Sequence, residues 1–214
     1  MNSRRFILAV FLTLGLSTVA DLAQAQQTIA GYVTRVRGDA KIGPDTKQLL
    51  KIGSALFLGN RIATGADARL EARMKDGSVL TLSERTEFLI EQVNGSTAEA
   101  KSSNYALLKG AFRAITGTPD QGQPGSWQVR TPVAIIGVRG TELWGGLNLL
   151  NSGDDTLDVV MFEGKGVYVE NTKGITDLDK AGQGTTVRGE ATAPIGVVPW
   201  GEKKLNAAVQ SVAW

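Results

Sequence analysis

Between Ala68 and Lys75 apolar and charged residues alternate without a break, with Ala68, Leu70, Ala72 and Met74 on one phase and Arg69, Glu71, Arg73 and Lys75 on the other. A period of two sends successive side chains to opposite faces of a strand, so this stretch reads as a strand with one dry and one wet face. Asp76-Gly77 follows. A two-residue turn there would set Leu80 opposite Arg73 and Leu82 opposite Glu71. A three-residue loop, Lys75-Asp76-Gly77, instead pairs Ala72 with Leu80 and Leu70 with Leu82, which keeps all four apolar residues on one face. The second register is expected, with Gly77 left-handed in a bulge.

The same grammar recurs along the chain. From Thr28 to Ile42 the apolar phase changes between Val33 and Val36, which predicts a bulge or a bend. Gly43-Pro44-Asp45 marks a turn. Asn94-Gly95 marks a second hairpin turn after Phe88 and Ile90, and the small polar residues from Ser96 to Asn104 suggest a weakly specified strand at a sheet edge. Tyr105 to Ile115 is apolar again, with Gly110 inside it. Thr116 to Ser126, rich in glycine and proline, reads as a loop, and Asn148 to Asp155 as a turn region. Leu157, Val159 and Met161 alternate with Asp158 and Val160. Many short strands joined by glycine-rich turns predict an all-β domain, an antiparallel β-sandwich or jelly-roll-like arrangement. After Pro194 the period changes. Leu205, Val209 and Val212 fall at helical spacing, so a short C-terminal amphipathic helix is expected, docked across one end of the β domain.

The most apolar stretch is VRTPVAIIGVRGTELW, Val129 to Trp144. Its β-branched composition favours a buried strand, with Pro132 at the start because proline cannot serve a central ladder. Gly137 and Gly140 permit a bulge, a tight bend or a close backbone approach. Arg139 lies among apolar residues, where a guanidinium either points outward or finds a carboxylate or carbonyls. A buried structural anchor is the expected role, with a ligand or partner contact as the alternative. Trp127 and Trp144 are expected in the core; exposed together on one surface, they would instead form a stacking platform.

This stretch resembles the signature block of the FecR-like domain, present here as TPVAIIGVRGT from Thr131 to Thr141. GYVTRVRGDAKI (Gly31 to Ile42), the segment Leu50 to Glu84, LLKGAFRA (Leu107 to Ala114) and VVMFEGKGVYV (Val159 to Val169) are similar to other blocks of that family, in order. The resemblance identifies Thr131, Pro132, Gly137, Val138, Arg139, Gly140 and Thr141 as family-motif residues of structural character. It also implies an envelope domain that takes part in protein interaction or sensing. Related regulators carry a cytoplasmic sigma-binding segment. Only Met1 to Arg5 precede the first apolar run here, so that part of the role is not expected to transfer.

Met1 to Arg5 is a short basic head, Phe6 to Val19 is apolar, and Ala23-Gln24-Ala25 supplies the small residues of a signal-peptidase site. Residues 1–25 therefore read as a signal peptide cleaved before Gln26, residues 26–190 as the β domain and residues 191–214 as a C-terminal extension. The expected location is the periplasm or the extracellular space, with no stable membrane span after cleavage. The 23 basic and 21 acidic residues are scattered, which gives no reason to expect nucleic acid.

The chain has no histidine and no cysteine, so the usual catalytic triads, cysteine nucleophiles and soft-metal sites are unavailable. Asp154, Asp155, Glu163, Asp177 and Asp179 could in principle hold a hard cation or serve glycoside hydrolysis, but their turn-like settings and spacing fit neither well. No catalytic residue, metal or cofactor is expected. The sequence thus reads as a non-enzymatic envelope interaction module whose partner is another envelope protein or a cell-wall polymer, the alternative being a polysaccharide-binding module.

Overall fold

The computed structural model describes residues 27–43, 48–117, 127–150 and 155–214. The expected signal peptide, Pro44-Asp45, most of the Thr116–Ser126 loop and Asp154 lie outside the described residues. The chain begins with β1 (Ile29–Arg37), β2 (Ala40–Ile42), β3 (Ala55–Phe57), β4 (Arg61–Thr64), β5 (Arg69–Met74) and β6 (Val79–Leu82). Then follow β7 (Glu87–Gln92), β8 (Ser103–Lys109), β9 (Ala111–Ile115), β10 (Trp127–Arg130), β11 (Ile135–Val138) and β12 (Thr141–Leu147). The last strands are β13 (Thr156–Gly164), β14 (Val167–Asn171), β15 (Gly174–Leu178), β16 (Gln183–Arg188) and β17 (Val198–Pro199), before helix α1 (Glu202–Val212).

These strands form two sheets. Sheet I runs β17-β16-β13-β12-β9-β6-β5-β1-β3 and sheet II runs β15-β14-β11-β10-β8-β7-β4-β2. Both have open edges, so the fold is no closed barrel. The chain visits the sheets alternately, usually as a hairpin in one and then a hairpin in the other. Buried side chains from both sheets meet between them, among them Leu70, Leu82, Phe88, Tyr105, Phe112, Val129, Ile136, Leu143 and Val159. The Phe88 ring lies with its centroid 5.6 Å from those of both Tyr105 and Phe112, tilted as aromatic quadrupoles prefer.

Pairing is antiparallel except between β8 and β10. Strand β9 carries the chain back along sheet I as a single strand, so β10 re-enters sheet II at the end where β8 began. Glycine marks such crossings. Gly110, at φ +82°, turns the chain from β8 into β9, and a Cβ there would fall 2.7 Å from the Thr86 Cα. A glycine inside an apolar run is here a corner between layers.

The β5–β6 hairpin has the expected register, Leu70 with Leu82 and Ala72 with Leu80, and Gly77 at φ +82°. A Cβ on Gly77 would meet nothing within 4 Å, so its cost is backbone strain alone. Gly77→Ala should therefore lower stability by about 1 kcal/mol, and Lys75→Ala should leave the denaturant midpoint unchanged. The β1–β5 pair shifts register between Val33 and Arg35, as the change of phase predicts.

Three expectations about the strands need correction. Strand β8 is not an edge; it lies between β7 and β10, and the hydroxyl of Ser103 takes the amide of Asn94 and donates to Asp76 inside the domain. Its small polar residues serve that buried cluster. The Val129–Trp144 run is not one strand, because Thr131 to Ala134 folds back as a tight turn between β10 and β11 and holds Pro132. On β5 the wet face is incomplete, since Arg69 is buried, donates from Nη1 to the Ala68 carbonyl at 2.7 Å and leaves Nε without a partner. Burial, then the neighbouring Arg37, lowers its pKa.

Helix α1 lies on the outer face of sheet I rather than across one end of the domain. Ala208 and Val212 are buried beneath it with Ala111, Trp144, Val160 and Trp200, in a second apolar cluster separate from the main core. Val209, expected on the buried face, is exposed. Trp144 Nε1 donates to Ser211 Oγ at 2.9 Å, and Ser83 Oγ donates to the Ser211 carbonyl at 2.6 Å. Lys204 Nζ reaches the buried Asp158 carboxylate at 2.7 Å and stands 4.0 Å over the Trp200 ring.

Candidate functional site

The family-motif residues are distributed along the full height of the sandwich. At one end, Thr131 Oγ1 accepts the amides of Val133 (3.3 Å) and Ala134 (3.1 Å) and donates to the Ala134 carbonyl (2.8 Å). That closes the turn around Pro132. Four residues of β11 then cross sheet II, a rise of about 13 Å. Along it, Gly137 leaves room for the ring of Tyr168, whose Cζ would lie 1.9 Å from a Cβ, and Gln128 Nε2 donates to the Tyr168 hydroxyl at 2.8 Å.

At the opposite end, Gly140 at φ +67° turns the chain into sheet I. Thr141 Oγ1 donates to the Gly166 carbonyl at 3.0 Å and accepts the Gly166 amide at 3.2 Å, while the Thr141 amide donates to Thr116 Oγ1 at 2.9 Å. The Arg139 amide donates to the Gly166 carbonyl at 3.0 Å. What ties this corner is therefore the backbone of Arg139 and the hydroxyl of Thr141. The Arg139 side chain is exposed, with its guanidinium 5.9 Å over the Tyr168 ring. The expected buried anchor, bonded to a carboxylate or to carbonyls, is not found: Ile136 and Val138 face the core, so Arg139 falls on the outward phase with Gly137, beside Tyr168. The motif thus brings no set of side chains together at one point.

Two clefts flank the Thr131–Ala134 turn, of about 300 and 410 Å³. The first is lined by Leu108, Leu149, Arg85 and Asp155, the second by Ile135, Arg130, Glu170 and Glu190. Their charges are scattered around apolar walls rather than converging on a point, an arrangement suited to contact and not to a reaction centre. Among the described residues no cluster of three or more carboxylates is placed to hold a metal ion. Asp155 sits in a turn at φ +57°, and Trp127 and Trp144 are both buried, so neither forms a surface platform.

One buried polar cluster went unnoticed in the sequence. Asp76 Oδ1 accepts the Ser78 amide (2.9 Å) and hydroxyl (2.6 Å), while Oδ2 accepts Ser103 Oγ and, at 3.4 Å, the Tyr105 hydroxyl. Burial, then the Asp76 charge, pushes the Tyr105 phenol well above its ordinary pKa. This cluster pins the β5–β6 loop to β8. Its groups are satisfied by one another, which is what a structural network requires. Only the Asp-Gly turn signal pointed to it.

The two outer faces differ. Helix α1 covers part of sheet I, over β9, β12 and β13, whereas the register of sheet II sets Leu89, Ala106, Arg130, Ile135, Glu170 and Ile175 in one row across its outer face. Ile175 is 58% exposed and Leu108, one residue pair along, 39%. Two arginines on this face are paired, Arg130 with Glu91 and Arg61 with Glu87. Among the described residues no helix is long and apolar enough to cross a membrane.

The model of the FecR protein family matches residues 60–165, from just before β4 to the corner after β13. Over these residues the chain is similar to the FecR family. The fold is similar to that of a candidate anti-sigma factor from Parabacteroides distasonis ATCC 8503, seen in crystal structures at 2.50 and 1.65 Å resolution. Each superimposes with a TM-score of 0.55 at 17% identity, over 70% of this chain and 64% of the other. The chain therefore spans less than two thirds of those proteins, and at that identity the likeness concerns the fold. No curated protein matches the chain.

Proposed function

We propose that this chain is a non-catalytic periplasmic domain that binds another envelope protein through the outer face of sheet II, in a sensing or signalling role. The observation that carries this reading is the outer face of sheet II, which α1 leaves uncovered and where Ile175 and Leu108 are exposed on a face that also carries the Arg130–Glu91 and Arg61–Glu87 pairs. Paired charges suit a protein surface of mixed character better than an anionic polymer, which would call for unpaired cations. The FecR-like match and the fold shared with a candidate anti-sigma factor support the same reading, since an anti-sigma factor works by holding another protein. Residues 1–25 would act as a cleaved signal peptide, residues 26–190 as the binding domain and residues 191–214 as the extension whose helix covers part of sheet I.

In this account TPVAIIGVRGT is scaffold. Thr141→Val should lower the melting temperature by removing the bonds to Gly166, and Arg139→Ala should leave it nearly unchanged. The binding surface is tested by Leu108→Arg and Ile175→Arg, which place a cation on this face at exposed positions. Both proteins should melt like the wild type and lose about tenfold or more in affinity for the partner isolated with the wild-type domain. Full retention of binding by both would exclude this face.

A further inference from the structure

At the C-terminal end of α1 a cavity of about 360 Å³ opens between the helix and the outer face of sheet I. Its floor is Arg113 on β9 and Glu142 on β12; its walls are Phe162 from β13, Val209 and Val212 from the helix, and Trp214. Arg113 Nε and Nη2 both address the same carboxylate oxygen, Oε1 of Glu142, at 2.9 and 2.7 Å. Glu142 Oε2 and Arg113 Nη1 take no hydrogen bond among the described residues. The pair therefore presents one acceptor and one donor side by side, already held in place by their mutual contact. Trp214 is held as well, because the Arg35 guanidinium lies 3.9 Å over its ring.

We propose that this cavity is a binding site for a neutral pyranose ring, with adjacent hydroxyls read by Glu142 and Arg113 and one C–H face laid against Trp214 and Phe162. The polar floor and the apolar walls together select the ligand. An apolar molecule would strip water from a carboxylate and a guanidinium without replacing it. An anion would meet Glu142 and a cation would meet Arg113. A vicinal diol satisfies both, since one hydroxyl donates to Oε2 while its neighbour accepts from Nη1. The weakly polar C–H face of a sugar matches the aromatic walls. Such a site holds its rings and polar groups ready before the ligand arrives, so little ordering is required of it.

The site lies on sheet I, away from the partner face of sheet II, so either assignment can fail without the other. The experiment uses the full mature chain with methyl glycosides of glucose, galactose and N-acetylglucosamine, together with cellobiose. Saturation-transfer NMR and tryptophan fluorescence would be recorded on the wild type, Trp214→Ala and Glu142→Gln. A single hexose of this size should bind with a dissociation constant on the order of 1 mM. The expected result is saturation transfer and an emission change for at least one glycoside, weakened about tenfold or more in both variants, whose melts stay at the wild-type temperature. Cyclohexanol serves as a control for a merely apolar cavity. The proposal is overturned if no glycoside gives a signal, if the signal is the same in Trp214→Ala, or if cyclohexanol binds as well as the best glycoside.

Discussion

Trp144→Ala should be the most damaging single truncation outside the main core. Trp144 is fully buried on the outer face of sheet I, where its ring meets Trp200 edge-on at 6.2 Å and its Nε1 donates to Ser211. Removing it leaves a cavity under α1 and deprives the helix of both its largest contact and a hydrogen bond. Truncations of this kind cost ~3–5 kcal/mol. In a chain of this length that lowers the melting temperature by roughly 6–20 °C. Undocking should accompany the loss, so amide exchange in residues 202–212 should accelerate to that of a free peptide while the β5–β6 hairpin stays protected. A melt within a degree or two of the wild type would mean that the helix does not depend on this tryptophan.

Asp158→Ala should come second. Asp158 is 1% exposed and accepts Thr186 Oγ1 at 2.6 Å as well as Lys204 Nζ. Truncating it strands a part-buried ammonium against the face of sheet I. Breaking one side of a buried pair costs ~3–5 kcal/mol, and the lower end applies here because the Lys204 side chain keeps 30% of its exposure. Removing both charges should do less harm than removing one. Asp158→Ala combined with Lys204→Met should recover part of the lost stability, since the uncompensated charge has gone and the methionine still covers Trp200. Denaturant titrations of the two single variants and the double variant measure this directly. A double variant as unstable as the sum of its parents would remove the ion pair from the account.

Local patterns in the sequence were enough wherever the structure is itself local. The period-two alternation around Leu70 and Leu82 with its Asp-Gly loop yields the hairpin register, and the helical spacing after Pro199 yields α1. The crossings between sheets were not legible, because Gly110 and Gly140 look like interruptions of a strand until the second layer is known. Arg139 misled because its neighbours are apolar, yet with Ile136 and Val138 facing the core it falls on the outward phase. Asp158 alternates as a wet-face residue should, and only the arrival of Lys204 from 46 positions later makes that face dry. That the two ends of the motif block stand at opposite ends of the sandwich could not be seen in the sequence. The cavity floored by Arg113 and Glu142 could not be read at all, since its groups come from four separate segments and meet only once α1 has docked.

The central claim, that sheet II offers the binding face while α1 occupies part of sheet I, is tested most directly by photocrosslinking in living cells. A photoreactive phenylalanine would be placed in turn at Leu89, Leu108 and Ile175 on sheet II, and at Glu202 and Lys203 on the exposed side of α1. The account predicts one discrete adduct of constant size from the three sheet II positions and none from the helix. Adducts confined to the helix positions, with sheet II silent, would contradict it.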